Sequence, residues 1–337
     1  MSFSSSSCSS DSDSDYADRC SLLNLGDYTS SLDESTDPEE TPEDDERVML
    51  IFYETLLINL KRKFSILDIE VRFSIKQLMD NYRHVSYGRL PSDIDYNDMK
   101  YCLGYLHRYA PCHTYLVAEA VSAILRESCV LNELLSKQTL NVVFLGGGPG
   151  NDFVGFLIAL HGKHEEIFDL DVTVVDKMSG WENVFNETVL QLRQEACGKA
   201  GYVFDDVNVS STFITADLKE ASGWSDEMET KLRNADLVFL VKALSHIPNA
   251  DKCLVLQNIV TRIRRNTLLI YIDYPFLAGI FSSVELLLKT VYISRKERYT
   301  FGYKYNDYGY WNIVKCRAVT RVFQRSYEWI MYSTLNI

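Results

Sequence analysis

Residues 142–152 read VVFLGGGPGND, an apolar run followed by four glycines and one proline within five positions. A short apolar run bounded by turn residues has the length of a buried strand. Glycine lacks a Cβ, so the chain can turn sharply there and let a ligand touch its backbone. DFVGFLIALHGKH follows with the periodicity of an amphipathic helix. A strand, a glycine turn and a helix in that order begin a βαβ unit, which commits this region to a parallel sheet flanked by helices. One glycine is enough for a plain connection, so the crowding predicts that something binds against the turn.

The alternation continues to the C-terminal side. DVTVVD, VSSTFITAD, ADLVFLVKAL and TLLIYID read as strands, and WENVFNETVLQLRQEAC and KCLVLQNIVTRIRR as helices. The expectation for residues 139–337 is an α/β, Rossmann-like domain with a mostly parallel sheet, whose ligand sits at the carboxyl ends of the strands. Residues 47–138 read as a helical cap region. RVMLIFYETLLINLKRKF places Leu50, Tyr53, Leu57 and Leu60 at helical spacing. SIKQLMDNYRHV, DYNDMKYCLGYLHRYA and PCHTYLVAEAVSAILRES give further helices, with a break at Gly88 and Pro91. Pro111 falls at the start of a helix, where its missing N–H costs little.

Residues 1–46 hold fourteen acids and a single basic residue, Arg19. A Ser-, Asp- and Glu-rich segment with few large apolar residues cannot offset its ordering entropy by burial, so a disordered tail is expected. Its Ser-Asp repeats serve either as solvation or as acidic-directed phosphorylation sites, and its charge suits a basic partner. The net charge of −13 belongs to this tail, because the remaining chain carries 33 acids and 33 basic residues. The body is therefore free to take an anionic substrate. The sequence contains no bilayer-length apolar run and opens without the features of a signal peptide, which predicts a cytoplasmic or nuclear protein with no membrane contact. Eight scattered cysteines without a C-x-x-C pair fit reduced thiols. Cys102, His107, Cys112 and His113 match no zinc spacing, and no metal is expected.

Which ligand the turn holds depends on the glycine spacing. A dinucleotide site requires G-x-G-x-x-G, and Asn151 occupies the third glycine's place. A Walker loop ends in Gly-Lys-Ser/Thr, which this turn lacks. The spacing present is G-x-G-x-G, carried by Gly146, Gly148 and Gly150. This resembles motif I of the class I S-adenosylmethionine-dependent methyltransferases. The resemblance covers roughly the last 200 residues. It implies S-adenosylmethionine as cofactor and a seven-stranded sheet completed by an antiparallel strand pair within residues 291–326. It also implies that Gly146, Gly147, Gly148 and Gly150 let a sulfonium nucleoside lie against main-chain amides. Asp176, next to Lys177, matches the acid that accepts both ribose hydroxyls, a task suited to a carboxylate's two oxygens. Asp217, next to Leu218, matches the acid that receives the adenine amino group. Asp152 either caps the following helix or reaches the ligand. Trp181 either stacks on adenine or packs against the sheet. Phe144 departs from the pattern, since many members carry an acid there. GGGPGND followed by Asp176 and Trp181 also resembles a branch that includes fungal enzymes methylating a uridine of large-subunit ribosomal RNA, which implies an RNA acceptor.

Methyl transfer asks the protein to align an acceptor and manage its proton, so no single strong base need be visible. LVKALSHIP, at the end of the fourth strand, offers Lys242, Ser245 and His246 as acceptor contacts, with Lys242 also in reach of the cofactor. The alternative is a cap for Ser245 and a packed or solvated His246. N-P-P-Y and D-P-P-Y, which mark amino methylation of bases, are absent. Tyr101, Tyr105, His107, Arg108 and Tyr109 either line the methionine end, with Arg108 meeting its carboxylate, or are half-buried helix residues. Residues 295–325 carry eight basic residues and two acids, interleaved with Tyr299, Phe301, Tyr303, Tyr305, Tyr308, Tyr310 and Trp311. Such a segment either binds RNA by charge and stacking or forms a β-hairpin with aromatic pairs. Two other classes stand beside the methyltransferase reading. One is a non-catalytic binding module, suggested by Phe144. The other is a dinucleotide oxidoreductase, disfavoured by Asn151.

Overall fold

Sequence periodicity becomes layers once the strands are ordered. The computed structural model describes residues 44–83, 94–194 and 197–326, and for 276–278 the backbone alone. The acidic stretch up to residue 43 and the break at Gly88 and Pro91 lie outside the described residues. Five helices come first: α1 (Asp45–Lys63), α2 (Asp68–Tyr82), α3 (Met99–Arg108), α4 (Ala110–Glu127) and α5 (Cys129–Leu135). Then follow β1 (Thr139–Leu145), α6 (Asn151–Leu160), β2 (Asp169–Asp176), α7 (Gly180–Leu192), α8 (Gly198–Asp206), β3 (Asn208–Thr215) and α9 (Asp226–Asn234). The chain continues with β4 (Leu237–Val241), α10 (Lys252–Arg262), β5 (Leu268–Asp273), β6 (Leu288–Ile293), β7 (Arg298–Thr300), β8 (Lys315–Arg317) and β9 (Val319–Arg325).

α1 starts at Asp45, inside the stretch read as tail, because Asp44 caps it by accepting from Glu46 N (3.1 Å) and Arg47 N (3.4 Å). Lys61, Arg62 and Lys63 occupy its last turn, where they complement the helix dipole. Two helices, α8 and α9, appear where no element was expected.

The seven-stranded sheet has the order β3-β2-β1-β4-β5-β9-β6, and β9 alone runs opposite to the other six strands. The antiparallel strands expected within 291–326 are β6, which begins at Leu288, and β9. Between them β7 and β8 form a separate two-stranded ribbon. β4 and β5 are buried along their whole length, as strands covered on both faces should be.

Successive side chains of β1 point to opposite faces. Leu140, Val142 and Phe144 join one core with residues of α1, α3, α4, α6, α7 and α8. Val143 and Leu145 join the other, with residues of α9 and α10. α4 packs tightly on α6 because Gly155 has no side chain: a Cβ there would lie 2.6 Å from the Thr114 carbonyl oxygen. The N-terminal helices thus share one interior with the sheet.

Phe144 belongs to that interior. It is fully buried and stacks on Phe239 at 4.7 Å, with Phe153 and Phe156 also in contact. An acid at this position would sit in an apolar core, without a hydrogen-bond partner. No helix among the described residues is long and apolar enough to cross a membrane.

Candidate active site

A cavity of about 790 Å³ opens at the carboxyl ends of the parallel strands. That volume lies within the range of about 300–1,000 Å³ typical of small-molecule sites. Its floor is the turn after β1. Gly150 has φ +85°, and a Cβ there would meet Phe185 Cδ2 at 2.7 Å, so this position needs glycine on two counts. Gly146, Gly147 and Gly148 line the cavity, whereas Gly150 is turned away from it.

The expectation that glycine amides face a ligand is corrected by their hydrogen bonds. Gly146 N and Gly147 N donate to the Val175 carbonyl (2.7 and 3.3 Å), Gly150 N to Gly147 O (2.9 Å), and Gly148 N to Asp176 Oδ2 (3.1 Å). The turn therefore offers a surface free of side chains, and its donors are spent on holding its own shape.

Asp176 ends β2 and faces the cavity. Its two oxygens accept from Gly148 N and Met178 N, both at 3.1 Å, and each retains capacity for a further donor. Burial raises its pKa to about 6, against the opposing pull of those hydrogen bonds and of Lys177. Asp217 follows β3 at the cavity's far side. Its carboxylate accepts from Lys219 N (2.9 Å) and stands 3.8 Å from Lys177 Nζ, and the buried Leu218 lies beside it.

Asp152 does not cap α6, whose N-cap is Gly150. Its carboxyl is 4% exposed, lines the cavity and accepts from Asn151 Nδ2 at 2.7 Å. Burial pushes its pKa well above the ordinary value against the pull of the Asn151 hydrogen bond, the nearby Asp176 adds to this, and among the described residues no cation counters it. Trp181 is buried yet lines the cavity, tilted against Tyr96 at 4.5 Å and edge-on to Tyr105 at 5.4 Å.

The end of β4 supplies the opposite wall. Lys242 adopts φ +52°, a left-handed conformation that is strained for a residue with a Cβ. Its buried Nζ donates to the Arg317 carbonyl (2.6 Å) and sits 3.7 Å from the Tyr274 ring centroid. Burial lowers its pKa, partly opposed by Asp273. Ser245 donates its hydroxyl to the Lys242 carbonyl (2.6 Å), and its N–H donates to Asp273 Oδ2 (3.0 Å), which ties the loop to β5. His246 keeps solvent contact across the cavity and packs edge-on against Tyr82 at 5.3 Å. Loss of hydration within the cavity, then the Lys242 and Lys252 charges, lowers its pKa to about 4, so its ring is neutral.

From the cap, Tyr105, Arg108 and Tyr109 reach the cavity. Tyr101 and His107 do not: Tyr101 pairs with Gln77, and His107 Nε2 bonds the Tyr310 carbonyl at 2.8 Å. Tyr82, Tyr96, His113, Tyr274 and Cys316 also line the wall, and none was assigned to the site from the sequence. They converge from elements far apart in the chain, so local spacing gives no signal for them.

The four residues considered for zinc part company. Cys102 donates to the Tyr96 carbonyl, His107 serves Tyr310, His113 shares a 3.0 Å hydrogen bond with Tyr105, and Cys112 lies beside Cys316. In the 295–325 segment, Tyr299, Phe301, Tyr305 and Tyr308 are buried, and Trp311 is 53% exposed. Arg83, Lys177, Lys219, Lys315 and Arg317 are exposed around the cavity's mouth.

No protein-family model matches the sequence, and no curated protein matches it. Among solved structures, an O-methyltransferase family protein from Burkholderia thailandensis aligns at 13% identity and TM-score 0.39, over 76% of this chain and 71% of that one. A magnesium protoporphyrin IX methyltransferase from Synechocystis PCC 6803, with bound S-adenosylmethionine, aligns at 14% identity and TM-score 0.39, over 74% and 91%. The N-methyltransferase NodS from Bradyrhizobium japonicum WM9, in complex with S-adenosyl-L-homocysteine, aligns at 11% identity and TM-score 0.34, over 63% and 98%. At these scores the likenesses carry no weight for function.

Proposed function

We propose that this protein is an S-adenosylmethionine-dependent methyltransferase, and that its acceptor is RNA. The observation that carries the cofactor reading is Asp176: one carboxylate at the cavity wall fixes the glycine turn and keeps acceptor capacity on both oxygens. Such a group accepts the paired hydroxyls of a ribose. The buried Asp152 supports the same ligand. A carboxyl enclosed without a cation is costly, and the ammonium of a methionine moiety would supply one. Asp217 and Leu218 would hold the adenine, and the bare faces of Gly146, Gly147 and Gly148 admit close contact. When bound, the cofactor supplies an electrophilic sulfonium methyl group.

On the acceptor side the chain's own residues orient and deprotonate. Tyr274, held by Lys242, lines the acceptor wall. His246, neutral and open to the cavity, is available to accept a proton. The cations at the mouth favour a polyanion, which supports RNA over a neutral metabolite.

Calorimetry with S-adenosylmethionine, S-adenosylhomocysteine and NAD tests the cofactor, with binding of the first two and not the third expected. Tight NAD binding would point to the oxidoreductase class instead. Tritiated methyl transfer into cellular RNA and protein fractions tests the acceptor. Label in protein alone sinks the RNA reading, and no label despite tight cofactor binding favours a binding module.

A further inference from the structure

We propose that Cys112 and Cys316 form a redox-sensitive dithiol on the acceptor wall of the cavity, which a hydroperoxide converts to a disulfide joining β8 to α4. Cys112 stands in the first turn of α4 and is fully buried; Cys316 lies in β8, half-buried, and lines the cavity. β8 packs on α4, and the Cys112 and Cys316 side chains interact across that contact. Adjacent sulfurs on two packed elements are close enough to be joined with little backbone movement.

Their chemistry is asymmetric. The hydrogen bond from Cys112, then the Lys242 and Lys296 ammonium groups, hold the Cys316 thiol below its usual range against the effect of burial. The same hydrogen bond, with burial, pushes the Cys112 thiol up. Cys316, the more acidic thiol and the one that lines the cavity, meets an oxidant there, and Cys112 is the resolving thiol.

In the first step the Cys316 thiolate attacks a peroxide oxygen. The O–O bond breaks, a hydroxide or alkoxide leaves, and Cys316 becomes a sulfenic acid. In the second, the Cys112 sulfur attacks the sulfenic sulfur, the S–O bond breaks, and the departing hydroxide takes the Cys112 proton as water. Two thiols are oxidised and one hydroperoxide is reduced.

The crosslink matters because of what surrounds it. Lys315 and Arg317 flank Cys316 and line the cavity, and the Arg317 carbonyl anchors Lys242 Nζ. Pinning this tripeptide to α4 disturbs the acceptor wall. Asp176 and Asp217 belong to the other side and are untouched. The effect on activity rests on the methyltransferase reading; the crosslink itself does not.

The test uses the full chain, reduced and then given equimolar hydrogen peroxide, alkylated and mapped by mass spectrometry. A Cys112–Cys316 linked peptide should form before the exposed Cys129 and Cys253 are modified, and a thiol reductant should reverse it. C316S should leave no linked peptide, and C112S should accumulate the sulfenic acid or its mixed disulfide on Cys316. S-adenosylhomocysteine affinity should stay within about threefold on oxidation, while methyl transfer falls at least about tenfold and recovers on reduction. Oxidation of Cys129 or Cys253 without the linked peptide overturns the dithiol, whether or not the variants fold. A linked peptide with unchanged methyl transfer overturns its effect on the acceptor wall. Absence of cofactor binding in the reduced protein removes the methyltransferase reading, and the mapping still decides the dithiol.

Discussion

Asp176 links shape to binding through one side chain. As pH falls through about 6 its carboxylate gains a proton and loses acceptor capacity. Cofactor affinity should therefore fall as pH drops below about 6, while Asp176→Ala should bind at least about tenfold more weakly and lose that pH dependence. Calorimetry across pH reads both; a variant that binds like the parent removes the ribose role. Asp152 makes the opposite trade. Its pKa is raised on folding, so its stabilising protonated form is lost as pH rises through the folded value, and an isosteric amide has no such cost. Asp152→Asn should raise the cofactor-free protein's unfolding free energy at neutral pH by about 1 kcal/mol while weakening cofactor binding. Urea titration and calorimetry on the same sample would expose either half as wrong. Asp176 was legible in the sequence because it closes an apolar strand. The burial of Asp152 was not, since it depends on α4 packing over the start of α6.

The turn, its strand and its helix act as a unit at the next scale. Gly150→Ala must hold an alanine at φ +85° and push its Cβ into Phe185, which should cost about 2–4 kcal/mol in chemical denaturation. A loss under about 0.5 kcal/mol would mean the turn relaxes freely. The parallel strands were readable because both-face burial produces continuous apolar runs. α9 was missed because only Met228 and Leu232 of DEMETKLRN are buried, too few to show a period. α8 contains two glycines in GKAGYVFDD, which weaken its helical signal. The interleaved aromatics of 295–325 carried no mark of their depth. Their partners come from the cap, as where Tyr305 and Tyr308 pack around His107.

For the molecule as a whole, charge is unevenly placed. The cations at the mouth include Lys315 and Arg317, with Arg317 also paired to Glu297 at 2.8 Å. Replacing both with alanine should weaken RNA binding and reduce the slope of log affinity against log salt by about 1–2. An unchanged slope means the polyanion enters elsewhere. The position of β9 has a further consequence. It fills the place between β5 and β6, so β6 joins the sheet through the strand that follows all the others in sequence. A nonsense mutation upstream of Val319 would leave β5 with a bare, apolar rim and β6 with nothing to pair to, an invitation to aggregation and proteolysis. An allele that stops at Val319 should therefore behave as a complete loss, even though every cavity-lining residue is still encoded.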